Sequence, residues 1–459
     1  MALLSNHPGR RGRRRRPMWI VALVVAVAGL LTSTALFVVA RDEPSNAEPP
    51  AHSGHPLVTR VGGDAPRSWP AWGFTHTHYS AGTGEPGASA AVREAISVHP
   101  MTQAQSIMGW GVDNPEPARD HYDFGSLDRR MSLIRETHGI PVITLCCAPD
   151  WMKGGPEGRT DWSRLEMAPL RRHFDEFAEL AAKVARRYPD VKHYVVWNEF
   201  KGFFDEAHKR WDAELYTALY NKVYTALKAV GRDIKVGGPY VPMNGYSPSW
   251  KGPPSAVRGP WGSADQRSLD AVQYWLKHKK GADFIVVDGS SVSEDRGVQP
   301  DEFTALGKFS AVTTWLRSQA KGLPVWWAEW YVTPEHTRWS DKRRDAVQTV
   351  AMMELVRSGA ATALYWNPQR RASGDCPGCL WTTGSGGEAT AALDMLQRFT
   401  RWFPPGTPLV DVPARPGWVR VLAQNKQMVV VNTRSKSTTA TVGGKRIRLG
   451  GHKVRWMDR

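Results

Sequence analysis

The sequence predicts an α/β fold built on a (β/α)₈ barrel. Between residues 69 and 403, eight short apolar stretches alternate with helical ones, and most of the eight are continuous apolar runs, as expected for parallel strands buried on both faces. A doubly wound sheet is the alternative, but no glycine-rich phosphate loop follows the first strand. The strands are expected at Ala71–His76, Ile107–Val112, Pro141–Cys147, His193–Trp197, Ile234–Gly238, Asp283–Val287, Pro324–Ala328 and Thr362–Trp366.

Helices are expected between these strands. After the third strand, Phe174, Phe177, Ala181 and Val184 fall on one face of a helical period, with charged residues opposite. Such a face packs against a barrel. Comparable helices are expected at Ala213–Val230, Asp265–Lys280, Glu302–Gln319, Lys342–Ser358 and Ala389–Phe403.

The amino-terminal segment predicts export of the rest of the chain. Met1–Arg16 carries six arginines and no acidic residue, and Met18–Ala40 is an uncharged apolar run of 23 residues. Such a run is long enough to cross a bilayer as a helix, and the arginines keep its start cytoplasmic. The expected location is therefore the cell membrane, single-pass, with the remaining chain outside. A cleaved signal peptide, which would give a secreted protein, is the alternative.

Three further regions follow the basic tail and apolar run of residues 1–41. Residues 42–68 are rich in Pro, Gly, Ser and His and are expected to be a flexible linker to the barrel of residues 69–403. Residues 404–459 contain short strand patterns and turn signals, which predict a small β-sandwich-like domain. A structural role for this domain, packed on the barrel, is favoured over a separate carbohydrate-binding module because it is small.

The charge of the chain bears on its partners. The formal net charge is +16, and removing the seven arginines of residues 1–41 leaves about +9. An anionic partner such as an acidic wall polymer is one interpretation. Ordinary solubility is preferred, because no long basic run follows the apolar segment. Export argues against nucleic acid as a partner.

The four cysteines fall into two close pairs. Cys376 and Cys379 lie in a glycine-rich loop, where an oxidising compartment favours a disulfide over a redox-active pair or a zinc site. Cys146 and Cys147 are adjacent at the end of an apolar strand. Two packed free thiols are expected there, and a vicinal disulfide is the alternative.

Two glutamates indicate the chemistry. Glu199 and Glu329 each stand where an apolar run ends, on the fourth and seventh predicted strands. Active sites of such barrels lie at the carboxyl ends of the strands. A pair of carboxyl groups about 5 Å apart suits retaining hydrolysis of a glycosidic bond. Strand capping or a salt bridge would explain one glutamate, but not two at matching strand ends beside tryptophans.

These residues also resemble a family. Trp197-Asn198-Glu199-Phe200 is similar to the Trp-Asn-Glu-Pro signature of clan A glycoside hydrolases, and Glu329 in Trp-Trp-Ala-Glu-Trp-Tyr matches their nucleophile strand. Cys147-Ala-Pro-Asp-Trp151 resembles the Pro-x-Trp that ends the third strand in family 39. Trp366 matches the tryptophan that closes the eighth. The resemblance covers about residues 69–403.

The resemblance implies a retaining glycosidase that needs no cofactor. Glu329 would be the nucleophile and Glu199 the acid/base, while Asn198 would bind the sugar 2-hydroxyl. The substrate would be an extracellular or cell-surface oligo- or polysaccharide, cleaved by a β-xylosidase-like or endo-acting enzyme. The alternative is a non-catalytic glycan-binding barrel. Retention of both glutamates argues against it, because a binding protein needs neither acid.

Other residues near the strand ends are candidates for substrate binding. Phe200 replaces the signature proline, and Asp288 stands on the sixth strand where relatives often carry His or Tyr. Either Tyr240 or Tyr331 could hold Glu329. His76 and His78 share a face of the first strand, where sugar contact or core packing is favoured over metal binding. The full set of candidates is Asn198, His76, His78, Trp110, Trp151, Tyr240, Asp288, Tyr331 and Trp366.

Overall fold

A closed barrel of eight parallel strands organises the chain. The structure is a computed structural model that describes residues 58–78, 86–334, 338–366, 378–382 and 387–459. The barrel strands are β1 (Trp72–Thr75), β2 (Thr102–Ser106), β3 (Ile140–Leu145), β4 (His193–Val196), β5 (Lys235–Pro242), β6 (Phe284–Ser290), β7 (Val325–Tyr331) and β8 (Ala360–Trp366). They are hydrogen-bonded in the order β1-β8-β7-β6-β5-β4-β3-β2. The predicted (β/α)₈ barrel is confirmed.

Helices alternate with the strands, as predicted. Side-chain oxygens of Asp212, Asp265 and Ser340 accept hydrogen bonds from backbone N–H groups in the first turns of three of them and so fix where those helices begin. The helix expected at Glu302–Gln319 is interrupted at Leu306. The helices are α1 (Pro86–Ser97), α2 (Gly125–Glu136), α3 (Phe174–Arg187), α4 (Ala213–Val230), α5 (Gln266–His278), α6 (Glu302–Ala305), α7 (Gly307–Gln319), α8 (Asp341–Ser358) and α9 (Ala391–Trp402).

The prediction for the second strand was wrong. Ile107–Val112 was expected, but β2 precedes it and is polar, with the sequence Thr-Gln-Ala-Gln-Ser. The strand is fully buried, and the side-chain amide of Gln103 finds partners inside the fold. Gln103 is within 2.9 Å of His76 Nε2 and donates to Thr137 Oγ1 at 3.0 Å. Residues 109–112 instead form a turn, closed by two backbone hydrogen bonds between Gly109 and Val112.

Small and aromatic side chains fill the half of the barrel near the amino-terminal ends of the strands. Phe284 and Trp326 stack with their ring centroids 4.1 Å apart, and Trp69 approaches both rings edge-on at 6.0 Å. Residues 58–68 belong to the predicted linker, yet they are held against the barrel unit. The Val58 N–H donates to Arg357 O of α8 at 3.1 Å, and the Val61 N–H donates to Thr407 O at 2.9 Å. Trp69 therefore enters the barrel from a segment that is itself anchored.

Substitution of the buried Trp326, with the exposed Trp162 as a control, tests this packing. Trp326→Ala is expected to destabilise the protein by about 3–5 kcal/mol, because it leaves a cavity where the ring now packs on Phe284. Trp162 is 46% exposed, and Trp162→Ala is expected to change stability by less than about 0.5 kcal/mol. Chemical denaturation of both variants measures the difference. Equal losses would contradict a well-packed barrel interior at Trp326.

The carboxyl-terminal residues form two antiparallel sheets. The strands are β9 (Leu409–Val410), β10 (Ala414–Arg415), β11 (Val419–Gln424), β12 (Gln427–Asn432), β13 (Thr438–Val442), β14 (Lys445–Leu449) and β15 (Val454–Asp458). One sheet has the order β9-β11-β12-β15 and the other β10-β13-β14. Apolar side chains of both sheets share one core. On the barrel side, Trp456 meets Phe399 and Trp402 of α9 edge-on at 5.4 and 5.2 Å.

The membrane prediction concerns a part of the chain that is not described. Met18–Ala40 lies outside the described residues. Within the described ranges, none of the helices has the length and apolar character needed to span a bilayer.

Candidate active site

Glu199 lies in a tight turn just after β4. Trp197, Glu199 and Phe200 have positive φ angles of 70°, 47° and 52°, a conformation that costs roughly 1–3 kcal/mol for each residue that is not glycine. Packing holds the turn in place. The Phe200 ring stacks on Tyr216 at 4.2 Å, and Trp197 Nε1 donates to the carbonyl of Lys201 at 2.7 Å. The turn presents the partly exposed Glu199 carboxylate at the barrel mouth.

Glu329 reaches the same mouth through an irregularity of β7. Trp327 points outward and donates from Nε1 to Thr313 of α7, so regular alternation would turn Glu329 outward as well. However, Val287 pairs with Trp327 while Asp288 pairs with Glu329, which leaves Ala328 as an extra residue. Such a bulge re-aims the following side chain. Glu329 is consequently directed inward and is only 8% exposed.

Tyr240 holds the Glu329 carboxyl. Its hydroxyl donates to Glu329 Oε1 at 2.7 Å, across the barrel interior from β5. The pairing of β5 with β6 skips Tyr240, which has a φ of 54°. This second bulge turns the hydroxyl to the mouth. The structure therefore gives the holding role to Tyr240 rather than to Tyr331.

Asp288 is a third carboxyl group in the site. It is 3% exposed and pairs with Glu329 in the register of β6 and β7. Its Oδ1 atom is buried and has no hydrogen-bond partner among the described residues. Asp288 thus lies directly beside Glu329 at the mouth of the barrel.

Lys201 was not predicted, yet it contacts the candidate acid. Lys201 Nζ lies 2.8 Å from Glu199 Oε2 and 2.5 Å from Glu166 Oε1. The same ammonium is 5.6 Å from the centroid of the Trp110 ring. The feature of the sequence that could have indicated this contact is the position of Lys201, two residues after Glu199 in a tight turn. A loop lysine is ordinarily read as solvent-exposed, and no sequence pattern marks Glu166.

Burial and like charge dominate the electrostatics of the site. Burial, and then the negative charge of Glu199, raises the pKa of Glu329 to about 8, while the Tyr240 hydrogen bond opposes this shift. Burial, followed by the negative charge of Glu199, raises the pKa of Asp288 well above its usual range. Buried carboxyl groups so close together cannot all be ionised, and the site therefore retains protons near neutral pH.

Aromatic residues border the carboxyl groups. Tyr331 is 37% exposed and follows Glu329 by two residues. Trp366 is half-buried at the end of β8, and Trp110 is half-buried beside Lys201. Asn198 is buried directly before Glu199. These four predicted residues lie at the same end of the barrel as the two glutamates.

Other predicted residues have packing partners. His76 is buried, with Nε2 2.9 Å from Gln103 Oε1, and burial lowers its pKa to about 3. Trp151 donates from Nε1 to the carbonyl of Glu116 at 3.0 Å and meets His173 edge-on. These two residues accordingly belong to the scaffold around the mouth.

His78 is exposed after β1, and its backbone carbonyl accepts a hydrogen bond from Arg130 at 3.2 Å. That bond involves the main chain of His78.

The expectation for the adjacent cysteines was wrong. Cys146 and Cys147 are joined by a disulfide rather than being free thiols. Both are completely buried directly after β3, where the Cys146 carbonyl accepts from the Met108 N–H at 3.1 Å. Cys379 is also disulfide-bonded, and Cys376 lies outside the described residues.

Comparison with known proteins supports the fold assignment. In sequence, neither a protein-family model nor a curated protein matches the chain. In structure, a GH39 β-xylosidase from Caulobacter crescentus matches 82% of this chain and 80% of its own, with a TM-score of 0.53 and 16% identity. A GH39 enzyme from Xanthomonas axonopodis pv. citri covers 82% of this chain and 73% of its own length, with a TM-score of 0.53 and 14% identity. A GH30 endoxylanase from Clostridium papyrosolvens C71 covers 84% of this chain and 86% of its own length, with a TM-score of 0.51 and 12% identity. The predicted resemblance to family 39 is thereby confirmed at the level of the fold, which this chain shares with these glycoside hydrolases.

Proposed function

We propose that the protein is a retaining glycoside hydrolase. The observation that carries the proposal is the pair of glutamates at the mouth, one buried and held by Tyr240 and one partly exposed beside Lys201. A buried carboxylate with an aromatic hydroxyl donor suits attack on an anomeric carbon. A partly exposed carboxyl group suits exchange of protons with a leaving group and with water.

The reaction would proceed in two displacements. Glu329 attacks the anomeric carbon while Glu199 protonates the leaving oxygen, which gives a covalent glycosyl-enzyme. Glu199 then deprotonates a water molecule that releases the sugar. Asn198 would bind the sugar 2-hydroxyl, and Trp110, Tyr331 and Trp366 would contact the rings at the mouth. The chemistry requires no cofactor.

The substrate class proposed is an oligo- or polysaccharide outside the cell. Export through the amino-terminal segment, as a membrane anchor or a cleaved signal peptide, is part of the same proposal and rests on the sequence alone. The solved structures that share the fold include a β-xylosidase and an endoxylanase. Xylosides and xylan are therefore the first substrates to test.

The test is turnover of a panel of aryl glycosides and surface polysaccharides by the full-length chain. We expect activity that is lost in Glu199→Gln and Glu329→Gln. Glu302→Gln is the matched control, because Glu302 is buried but pairs with Arg343 at 2.7 Å outside the site. No turnover across the panel, with sugar binding unchanged in all variants, would contradict the enzyme and favour a glycan-binding barrel.

The hydrogen bond from Tyr240 predicts a pH effect. The hydroxyl stabilises ionised Glu329 and lowers its pKa, so Tyr240→Phe raises that pKa further. Because the nucleophile must be ionised, kcat/KM should fall about 10–100-fold on the acidic side and recover as the pH rises. The measurement is the pH profile of kcat/KM for both proteins. A uniform loss at every pH would contradict this role of Tyr240.

A further inference from the structure

Lys201 connects the candidate acid/base to a segment outside the barrel strands. Its ammonium lies 2.8 Å from Glu199 Oε2 and 2.5 Å from Glu166 Oε1, and Glu166 belongs to the segment between β3 and α3. The side chains of Lys201 and Glu199 are only 30% and 23% exposed, so water and salt screen this contact less than a surface ion pair. One cation therefore joins two carboxyl groups, one of which is the candidate acid/base.

The surroundings hold Lys201 in place between these partners. The turn after β4 approaches the Glu166 segment so closely that a Cβ on Gly202 would lie 2.2 Å from the backbone nitrogen of Ala168. The Trp110 ring, in the turn after β2, has its centroid 5.6 Å from the Lys201 ammonium, within the range of a cation–π contact. Segments that follow three successive barrel strands thus meet around this ammonium.

The Glu199 side chain needs such a partner for its proposed role. The strained turn fixes the backbone of Glu199, but the side-chain torsions must also be set before its carboxyl group can meet a leaving oxygen. A general acid must lie within about 3 Å of the atom that it protonates, and a misplacement of about 1 Å can cost roughly 10²-fold in rate. Lys201 engages Oε2 and so fixes the direction of the carboxyl group, while Oε1 is left for the proton.

We propose that Lys201 is a positioning residue for Glu199 and that Glu166 anchors Lys201. The ammonium holds the carboxyl group where it can protonate the leaving oxygen, while Glu166 and Trp110 keep the lysine from turning away. Because Glu166 shares the ammonium, Lys201 favours the ionised form of Glu199 less than a cation paired with Glu199 alone would. The inference rests on the proposed glycosidase function and adds two residues to it.

The test uses the full-length chain and two aryl glycosides with the same sugar. One carries a dinitrophenolate, which leaves without protonation, and the other an alkylphenolate, which needs an acid. Lys201→Met should lose about 30-fold in kcat/KM on the second substrate and less than about threefold on the first, because the lysine acts through the acid. Lys209→Met is the matched control, since Lys209 also follows β4 but pairs with Glu206 at 2.7 Å. Equal losses of Lys201→Met on both substrates, or no loss on either, would overturn the proposal.

Chemical rebuilding of the side chain tests whether the ammonium is what matters. The cysteines within the described ranges are all disulfide-bonded, so Lys201→Cys introduces a thiol that can be alkylated selectively. Reaction with 2-bromoethylamine gives a side chain of lysine length with an ammonium, and should restore at least about tenfold on the alkylphenyl glycoside. Iodoacetamide gives a neutral side chain and should restore nothing. Rescue by both reagents, or by neither, would contradict the proposal.

Glu166→Gln tests the anchor. Glu166 is 46% exposed, so this variant is expected to fold even if Lys201→Met does not. It should lose about 3–10-fold in kcat/KM on the alkylphenyl glycoside, with the dinitrophenyl glycoside unaffected. A loss of equal size on both substrates would mean that Glu166 does not act through Glu199, and would overturn its role.

Amide hydrogen exchange separates this inference from the proposed function. Lys201→Met and Glu166→Gln should each speed exchange in the peptide that covers residues 197–203 by at least about threefold, whereas Lys209→Met should not. This pattern in a protein whose wild type hydrolyses no glycoside would refute the proposed function but support the anchoring of the turn by Lys201. A wild type with turnover, whose two variants exchange this peptide as slowly as the wild type does, would overturn the inference alone.

Discussion

Replacing Glu329 by glycine is expected to reduce kcat by about 10⁴-fold or more. The nucleophile is lost, and the space it leaves lies beside the Tyr240 hydroxyl, at the carboxyl ends of β6 and β7. Azide is small enough to enter that space and attack the anomeric carbon in place of the carboxylate. Added azide should therefore restore turnover of an activated aryl glycoside.

The stereochemistry of the azide product checks the assignment. A single displacement by azide in Glu329→Gly gives a glycosyl azide with inverted configuration, which NMR identifies. Glu302→Gly is the matched control, because it removes a buried glutamate outside the site and should keep turnover without azide. Turnover by Glu329→Gly without azide, at the wild-type rate, would show that another group attacks the sugar.

The sequence predicted the two glutamates for a physical reason. The apolar runs that lead into Glu199 and Glu329 are buried strands, and the carboxyl ends of parallel barrel strands meet at one mouth. The polar strand β2 could not be predicted this way. Its Gln103 is buried because His76 and Thr137 satisfy its amide, and these partners are brought together only by the closed barrel.

The finer geometry of the site could not be predicted from the sequence either. The bulges at Tyr240 and Ala328 decide which side chains face the mouth, and they appear only in the pairing of neighbouring strands. Asp288 was noted near the site, but its place beside Glu329 depends on the register of β6 and β7. Lys201 was overlooked because the partners of a loop lysine are set by tertiary structure.

Replacing Glu199 by glutamine should have an effect that depends on the leaving group. Glutamine can neither donate the proton in the first displacement nor accept one in the second. With an alkylphenyl glycoside, which needs the acid, kcat/KM should fall about 10²–10⁴-fold. With a dinitrophenyl glycoside the first step proceeds, but hydrolysis of the glycosyl-enzyme lacks its base.

This difference predicts a burst that identifies the role of Glu199. Rapid mixing of Glu199→Gln with the dinitrophenyl glycoside should release about one equivalent of dinitrophenolate per protein, followed by slow turnover. Mass spectrometry of the quenched protein should then find the sugar attached at Glu329. Azide should accelerate the slow phase and give a product of retained configuration, because it attacks an intermediate that is already inverted once. A glycosyl-enzyme that does not accumulate, or a loss of equal size on both substrates, would mean that Glu199 is not the acid/base and that its ion pair with Lys201 serves to hold the turn after β4.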